Sequence, residues 1–128
     1  MKIDLKLLNK KFIFSGKRPK GGSFWAKGYL CDENKFMILK GSHVNIKNFN
    51  RTHCHKDFVK TLEVIQKKID YLLSTGLLLK KDNFYIFQQD YLFNKPSAAA
   101  VFFCVRNCNG WTAWKEQKSK KSLKIFVN

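Results

Sequence analysis

Residues 57–87 read Asp-Phe-Val-Lys-Thr-Leu-Glu-Val-Ile-Gln-Lys-Lys-Ile-Asp-Tyr-Leu-Leu-Ser-Thr-Gly-Leu-Leu-Leu-Lys-Lys-Asp-Asn-Phe-Tyr-Ile-Phe. In the first part Phe58, Leu62, Ile65, Ile69 and Leu72 or Leu73 recur at helical spacing, with Lys60, Lys67 and Lys68 at intervening polar positions. That periodicity predicts a helix over Asp57 to Ser74, and Gly76 is its natural stop. Two apolar runs follow, Leu77 to Leu79 and Phe84 to Phe87, each too short for a helix and separated by Lys80-Lys81-Asp82-Asn83. They predict a hairpin. A helix followed at once by paired strands points to an α+β chain.

Upstream, Ser23 to Leu30 and Lys35 to Leu39 read as two further strands, joined by Asp32-Glu33-Asn34, whose short polar side chains suit a tight reversal. Lys17 to Gly22 reads Lys-Arg-Pro-Lys-Gly-Gly, a basic turn that sets off the short segment Phe12-Ile13-Phe14. Downstream, Pro96-Ser97 opens a second expected helix, Ser97 to Asn107. Ser97 serves as its N-cap, Ala98 to Ala100 as strong helix formers and Gly110 as its exit. Short terminal strands are expected at Trp111 to Trp114 and Ser122 to Val127, with Lys118, Lys120 and Lys121 as a solvated connection. The expected architecture is a single compact α+β domain, two principal helices against short, mostly antiparallel strands. Residues 1–22 supply an N-terminal strand and the basic turn, and residues 23–128 the main body.

The 128 residues carry 25 Lys and Arg against 9 Asp and Glu, a formal charge of +16. A composition biased toward Lys, Asn, Phe and Ile would raise the lysines but would not remove the acids. A positive potential of this size calls for a polyanion, and charge alone suits DNA, RNA or an anionic membrane. Nucleic acid is the expected partner. No stretch approaches the roughly 18 apolar residues of a membrane span, and Met1 to Lys11 alternates charge with Leu and Ile, so a cytoplasmic location is expected. In that setting Cys31, Cys54, Cys104 and Cys108 are expected as reduced thiols.

The richest segment runs from Asp90 to Lys115: Asp90-Tyr91-Leu92-Phe93-Asn94-Lys95-Pro96-Ser97-Ala98-Ala99-Ala100, then Arg106, Asn109-Gly110-Trp111 and Trp114-Lys115. It resembles the domain-of-unknown-function family 4357, whose pattern runs through an aspartate, an aromatic, Phe, Ser-Pro-Ser-Ala-Ala-Ala, a short helix, Asn-Gly and Trp-Lys. Ala26-Lys27-Gly28, Phe36 to Ser42 and Leu72 to Leu77 resemble that family's earlier blocks, so the resemblance covers about Ser23 to Phe126. Two departures stand out: Lys95 replaces the first serine of the triplet, and Val105 a glycine common in the helix. The family commonly sits beside GIY-YIG nuclease domains, and the pattern is similar to RAMA domains of restriction and adenine-methylase systems. The resemblance thus implies DNA recognition, including of modified bases. No GIY-YIG motif occurs in this chain, so no nuclease activity carries over, and no cofactor or metal is expected.

The leading contact group is Lys95, Ser97, Arg106, Asn109, Trp114 and Lys115. A helix N-terminus at Ser97 offers N–H groups and a hydroxyl to phosphate, and Lys95 adds charge. Arg106, Asn109 and Lys115 supply phosphate or base-edge hydrogen bonds, while Trp114 can stack on a base and Trp111 reads as core. An auxiliary basic surface combines Lys17, Arg18 and Lys20 with Lys40, Ser42, His43 and Lys47, since flexible cations neutralise phosphate without reading sequence. His53-Cys54-His55 and the Cys104/Cys108 pair lack zinc-finger spacing, and two cysteines in an apolar helix act as small hydrophobes. The nine acids form no metal-binding motif and no serine elbow is present, so a small hydrolase is the weakest of three classes. The expected function is a non-catalytic DNA-binding module. Its alternative is a protein-interaction subunit that docks onto a nuclease, methylase or defence-system partner.

Overall fold

The computed structural model describes residues 10–17, 21–49 and 56–127. Eight strands are present among them: β1 (Phe12–Lys17), β2 (Ser23–Leu30), β3 (Phe36–Ile38), β4 (His43–Asn45), β5 (Leu78–Lys81), β6 (Phe84–Phe87), β7 (Tyr91–Phe93) and β8 (Lys115–Glu116). Four helices accompany them: α1 (Lys56–Ser74), α2 (Pro96–Cys104), α3 (Gly110–Ala113) and α4 (Leu123–Phe126). The strands form one antiparallel sheet in the order β5-β6-β4-β2-β1-β8, with β3 paired to β2 and β7 to β3. The α+β class read from the sequence is the class observed.

Strand β2 organises the sheet. Its whole length pairs with β1, from Phe12 opposite Gly28 to Lys17 opposite Ser23. Its other edge divides: Phe24 and Trp25 pair with β4, whereas Gly28 to Leu30 pair with β3. Burial alternates along it, so Phe24, Ala26, Gly28 and Leu30 face inward and Ser23, Trp25, Lys27 and Tyr29 outward. Gly28 sits where β3 comes closest: a Cβ there would lie 2.3 Å from the Met37 carbonyl and 2.6 Å from the Phe36 ring. Any side chain would push the two strands apart.

Helix α1 buries Phe58, Ile65, Ile69 and Leu72, the single stripe its periodicity predicts. Helix α2 is buried more fully, at Pro96, Ala99, Ala100, Phe102, Phe103 and Cys104. Small alanines let it lie close on β2 and β3, while Phe102 and Phe103 join Phe87 at ring separations of 5.7 and 5.9 Å. Burying each of these rings stabilises the fold by roughly 1.5–3 kcal/mol. Together α1, α2 and α4 send their buried side chains into one cluster with the inner face of the sheet.

Several expectations need correction. Helix α2 spans Pro96–Cys104 rather than Ser97 to Asn107, and its N-cap is Lys95, with Pro96 in the first turn. Pro96 has no N–H to satisfy and its fixed φ suits that position, which moves the helix start ahead of Ser97. The exit is made by Val105 in the left-handed conformation (φ 53), its N–H donating to Val101 O at 2.8 Å, and not by Gly110. Cys108 consequently lies beyond the helix that carries Cys104, and the two thiols are hydrogen-bonded with their sulfurs 3.3 Å apart. That bond, together with burial, pushes the Cys108 thiol pKa up. Trp111 and its neighbours form α3 instead of a strand, because the Asn109 side chain accepts from Trp111 N at 2.9 Å and caps a helical turn. The Ser122 to Val127 segment likewise forms α4, which packs Phe126 edge-on to Phe12 at 5.7 Å.

Strands β1 and β2 pair antiparallel on either side of the Lys17 to Gly22 segment, as far as Lys17 opposite Ser23. Arg18 and Lys20 lie outside the described residues, but the turn's end at Gly22 is anchored. Gly22 N donates to Asn48 Oδ1 at 2.9 Å, and Asn48 Nδ2 donates to Gly22 O at 3.2 Å, both within the buried interior.

Candidate nucleic-acid interface

Strand pairing fixes which side chains share the face of the sheet away from the helices. His43 stands opposite Trp25 on β2 and Ile86 on β6, and Phe84 stands opposite Lys81 and Asn45. Lys27 stands opposite Ile13, which in turn stands opposite Lys115; Lys17 follows on the same side of β1. The outward positions therefore bring Lys17, Lys27, Lys81 and Lys115 onto one face with Trp25, Tyr29, His43 and Phe84.

No described outward strand position carries a carboxylate. The strand acid Glu116 lies opposite Phe12, turned inward, and is 6% exposed. Its carboxylate accepts from Lys118 N at 2.7 Å and Ser119 N at 3.2 Å. The Lys118 N–H, helped by Ser119 and the charge of Lys10, outweighs desolvation and holds its pKa below the ordinary 4.5.

The rings on this face touch. Trp25 and His43 are near-parallel (24°) with centroids 6.0 Å apart, and Phe84 meets His43 edge-on at 5.4 Å. His43 Nδ1 lies 3.0 Å from Gly41 O, which fixes the imidazole plane. Tyr29 carries the Lys11 ammonium 4.4 Å above its ring. These aromatics are half-buried among their neighbours, so their rotamers are set while a face or edge stays accessible.

Of the described residues expected at the interface, Lys17, His43 and Lys115 lie on this face. Lys95 and Ser97 line an opposite, helical-side groove of about 280 Å³ between α1 and α2, with Thr61, Val64 and Lys68. The Lys68 ammonium lies 5.0 Å from the Phe93 ring, and desolvation lowers its pKa. Ser97 Oγ is already engaged, accepting from Gly110 N at 2.9 Å. Arg106 and Asn109 are exposed on the connection between α2 and α3, and Lys40 is exposed in the loop after β3, where its N–H donates to Asp90 Oδ1 at 2.8 Å.

Two expected contacts are corrected. Trp114 is fully buried, packs on Phe36 at 4.5 Å and donates from Nε1 to Pro96 O at 3.0 Å. Ser42 is fully buried too, its Oγ accepting from Lys27 N at 3.1 Å. Neither presents a surface to a ligand. Gly110 completes the same structural interlock as Trp114, since a Cβ there would fall 2.3 Å from the Pro96 carbonyl carbon. The Pro-Ser and Asn-Gly-Trp elements thus hold α2 against α3.

The Trp25, Lys27, Tyr29 row escaped the sequence reading, although the alternation along Ser23 to Leu30 carried the signal. Comparison with curated proteins and with solved structures finds no match. The family model for a domain of unknown function, DUF4357, matches residues 18–126 and takes in every strand but β1, together with α1, the interlock and α4. On that match the chain belongs to the DUF4357 family.

Proposed function

We propose that this chain is a non-catalytic DNA-binding module whose contact surface is the open face of the sheet. The observation that carries the reading is the pattern on that face, four lysines among aromatic rings with no described outward acid. Even with every acid of the chain paired, the net charge of +16 leaves cations for phosphate. The resemblance to modules beside GIY-YIG nucleases and to RAMA domains supports a place in nuclease or restriction-type systems, including as a reader of modified bases.

Fluorescence anisotropy tests this with labelled single-stranded and duplex DNA, the duplex unmodified or adenine-methylated, each titrated across salt. Expected is binding that weakens with salt by about 0.7–0.9 logarithmic units per logarithmic unit for each phosphate neutralised. Preference for the methylated duplex makes the module a modification reader. Absence of binding to every DNA at low salt overturns the reading.

A second reading, a subunit that docks onto a nuclease, methylase or defence-system protein, is favoured by α1. Val64 and Tyr71 are 63% and 61% exposed and seven residues apart, which places them on one side of the helix. A complex with such a protein that survives nuclease digestion, formed by a chain that binds no DNA, would replace the first reading by this one.

A further inference from the structure

We infer that the open face stacks unpaired bases, so that the preferred ligand is single-stranded DNA. This rests on the DNA reading above and narrows it.

Width gives the first argument. Six strands lie side by side from β5 to β8, which at about 4.8 Å per strand spacing makes a surface about 24 Å across. The major groove of B-DNA is about 12 Å wide and admits a helix or a two-stranded ribbon. A sheet this broad cannot enter it. Against a duplex it can only lie on phosphates, and the aromatic middle of the face would meet none of the base surfaces, which are stacked on one another.

The side chains give the second argument. Base-edge reading of a duplex uses Arg, Asn or Gln reaching into a groove, and among the outward strand positions only Asn45 is of those types. The centre holds rings instead: Trp25, His43 and Phe84 in a continuous line with spacings of 6.0 and 5.4 Å. Aromatic rings accept any base, because every base has a π-face, but only when that base is unpaired and free of its neighbour. Lysines border the line on both sides, Lys81 beside Phe84 and Lys27 two residues along β2 from Trp25, with Lys115 and Lys17 beyond. A sugar-phosphate chain running beside the rings would meet ammonium groups along its course. Because neighbouring side chains already hold the rings, little rotamer freedom is lost on binding.

The test compares the wild-type chain, by anisotropy at fixed salt, on three ligands of equal length: a strand of about 12 nucleotides, within the span of known single-strand sites, the same strand annealed to its complement, and an abasic sugar-phosphate strand. Expected is binding to the single strand at least tenfold tighter than to the duplex, with the abasic strand reduced to the duplex level or below. Trp25→Ala should weaken single-strand binding about fivefold or more, the lower end of what one base stack contributes. Trp25→Phe should restore most of that loss, and duplex binding should not change. Equal or tighter binding to the duplex, or an abasic strand that binds as well as the natural one, overturns the stacking inference while leaving the DNA reading intact. Failure of all three ligands to bind overturns the DNA reading itself. If Trp25→Ala fails to fold, the abasic comparison on the wild-type chain decides alone.

Discussion

Trp114 and Gly110 lie four residues apart and both close on Pro96, one through an indole N–H at 3.0 Å and the other through the absence of a side chain. Trp114→Ala should therefore cost about 3–5 kcal/mol, the range for removing a buried large ring, measured by chemical denaturation. Gly110→Ala should also destabilise, since its new methyl group meets backbone that cannot move without unseating α2. Sequence marked this segment as the most informative of the chain but could not tell an interlock from a contact group. The partner atoms on Pro96 are backbone, and no side-chain pattern reports them.

Glu116 gives a prediction with a sign. Its carboxyl pKa is lowered in the folded chain, so its contribution to stability is complete above the ordinary value of 4.5 and is lost as pH falls through the lower folded value. Glu116→Gln should accordingly lower the melting temperature at neutral pH, and the gap from wild type should shrink in acid. A gap that stays constant from pH 7 to pH 3 would show that the charged carboxylate is not what the Lys118 and Ser119 N–H groups hold.

Among the elements, α1 was legible almost to the residue because it is nineteen residues long and shows its apolar stripe several times over. Strands β4 and β7, three residues each, were missed because three residues cannot display a period of two. The same shortage of turns made α4 read as a strand: Leu123, Phe126 and Val127 fit a single helical turn only once the chain folds onto Phe12. Val105 shows two local terms in competition. Its left-handed backbone costs of order 1–3 kcal/mol in a residue other than glycine, whereas its fully buried side chain contributes roughly 1.5–3 kcal/mol. Val105→Gly should thus change stability by less than about 1 kcal/mol, which explains how valine is accommodated where the family pattern has glycine. Asn48→Leu should cost more, about 2–3 kcal/mol, because it leaves the Gly22 N–H and carbonyl without their partner inside the fold. Hydrogen exchange at the Gly22 amide should speed up with it.

At the scale of the molecule, the charge was visible from the start and its placement was not. Composition gave the expectation of a polyanion partner; only strand register shows that lysines and rings share the open face while Glu116 turns inward. Within the leading contact group Trp114 was lost to burial and Lys95 and Ser97 to the helical side for the same reason, since sequence proximity around Pro96 and Trp114 does not say which way each side chain points. If the open face is the binding surface, Lys27→Ala and Lys81→Ala should each reduce the salt slope of single-strand binding by about 0.7, while Lys95→Ala leaves it unchanged.

The three tryptophans offer the most direct test, because they report on three different places. Trp25 lies on the open face, Trp111 in a cleft with Asn109, Lys124 and Val127, and Trp114 in the core. In a nitrogen-15 spectrum, titration with a single-stranded oligonucleotide should shift the Trp25 indole resonance and leave those of Trp111 and Trp114 in place. A shift at Trp111 with Trp25 unmoved would contradict the account and place the ligand at the α2–α3 connection instead.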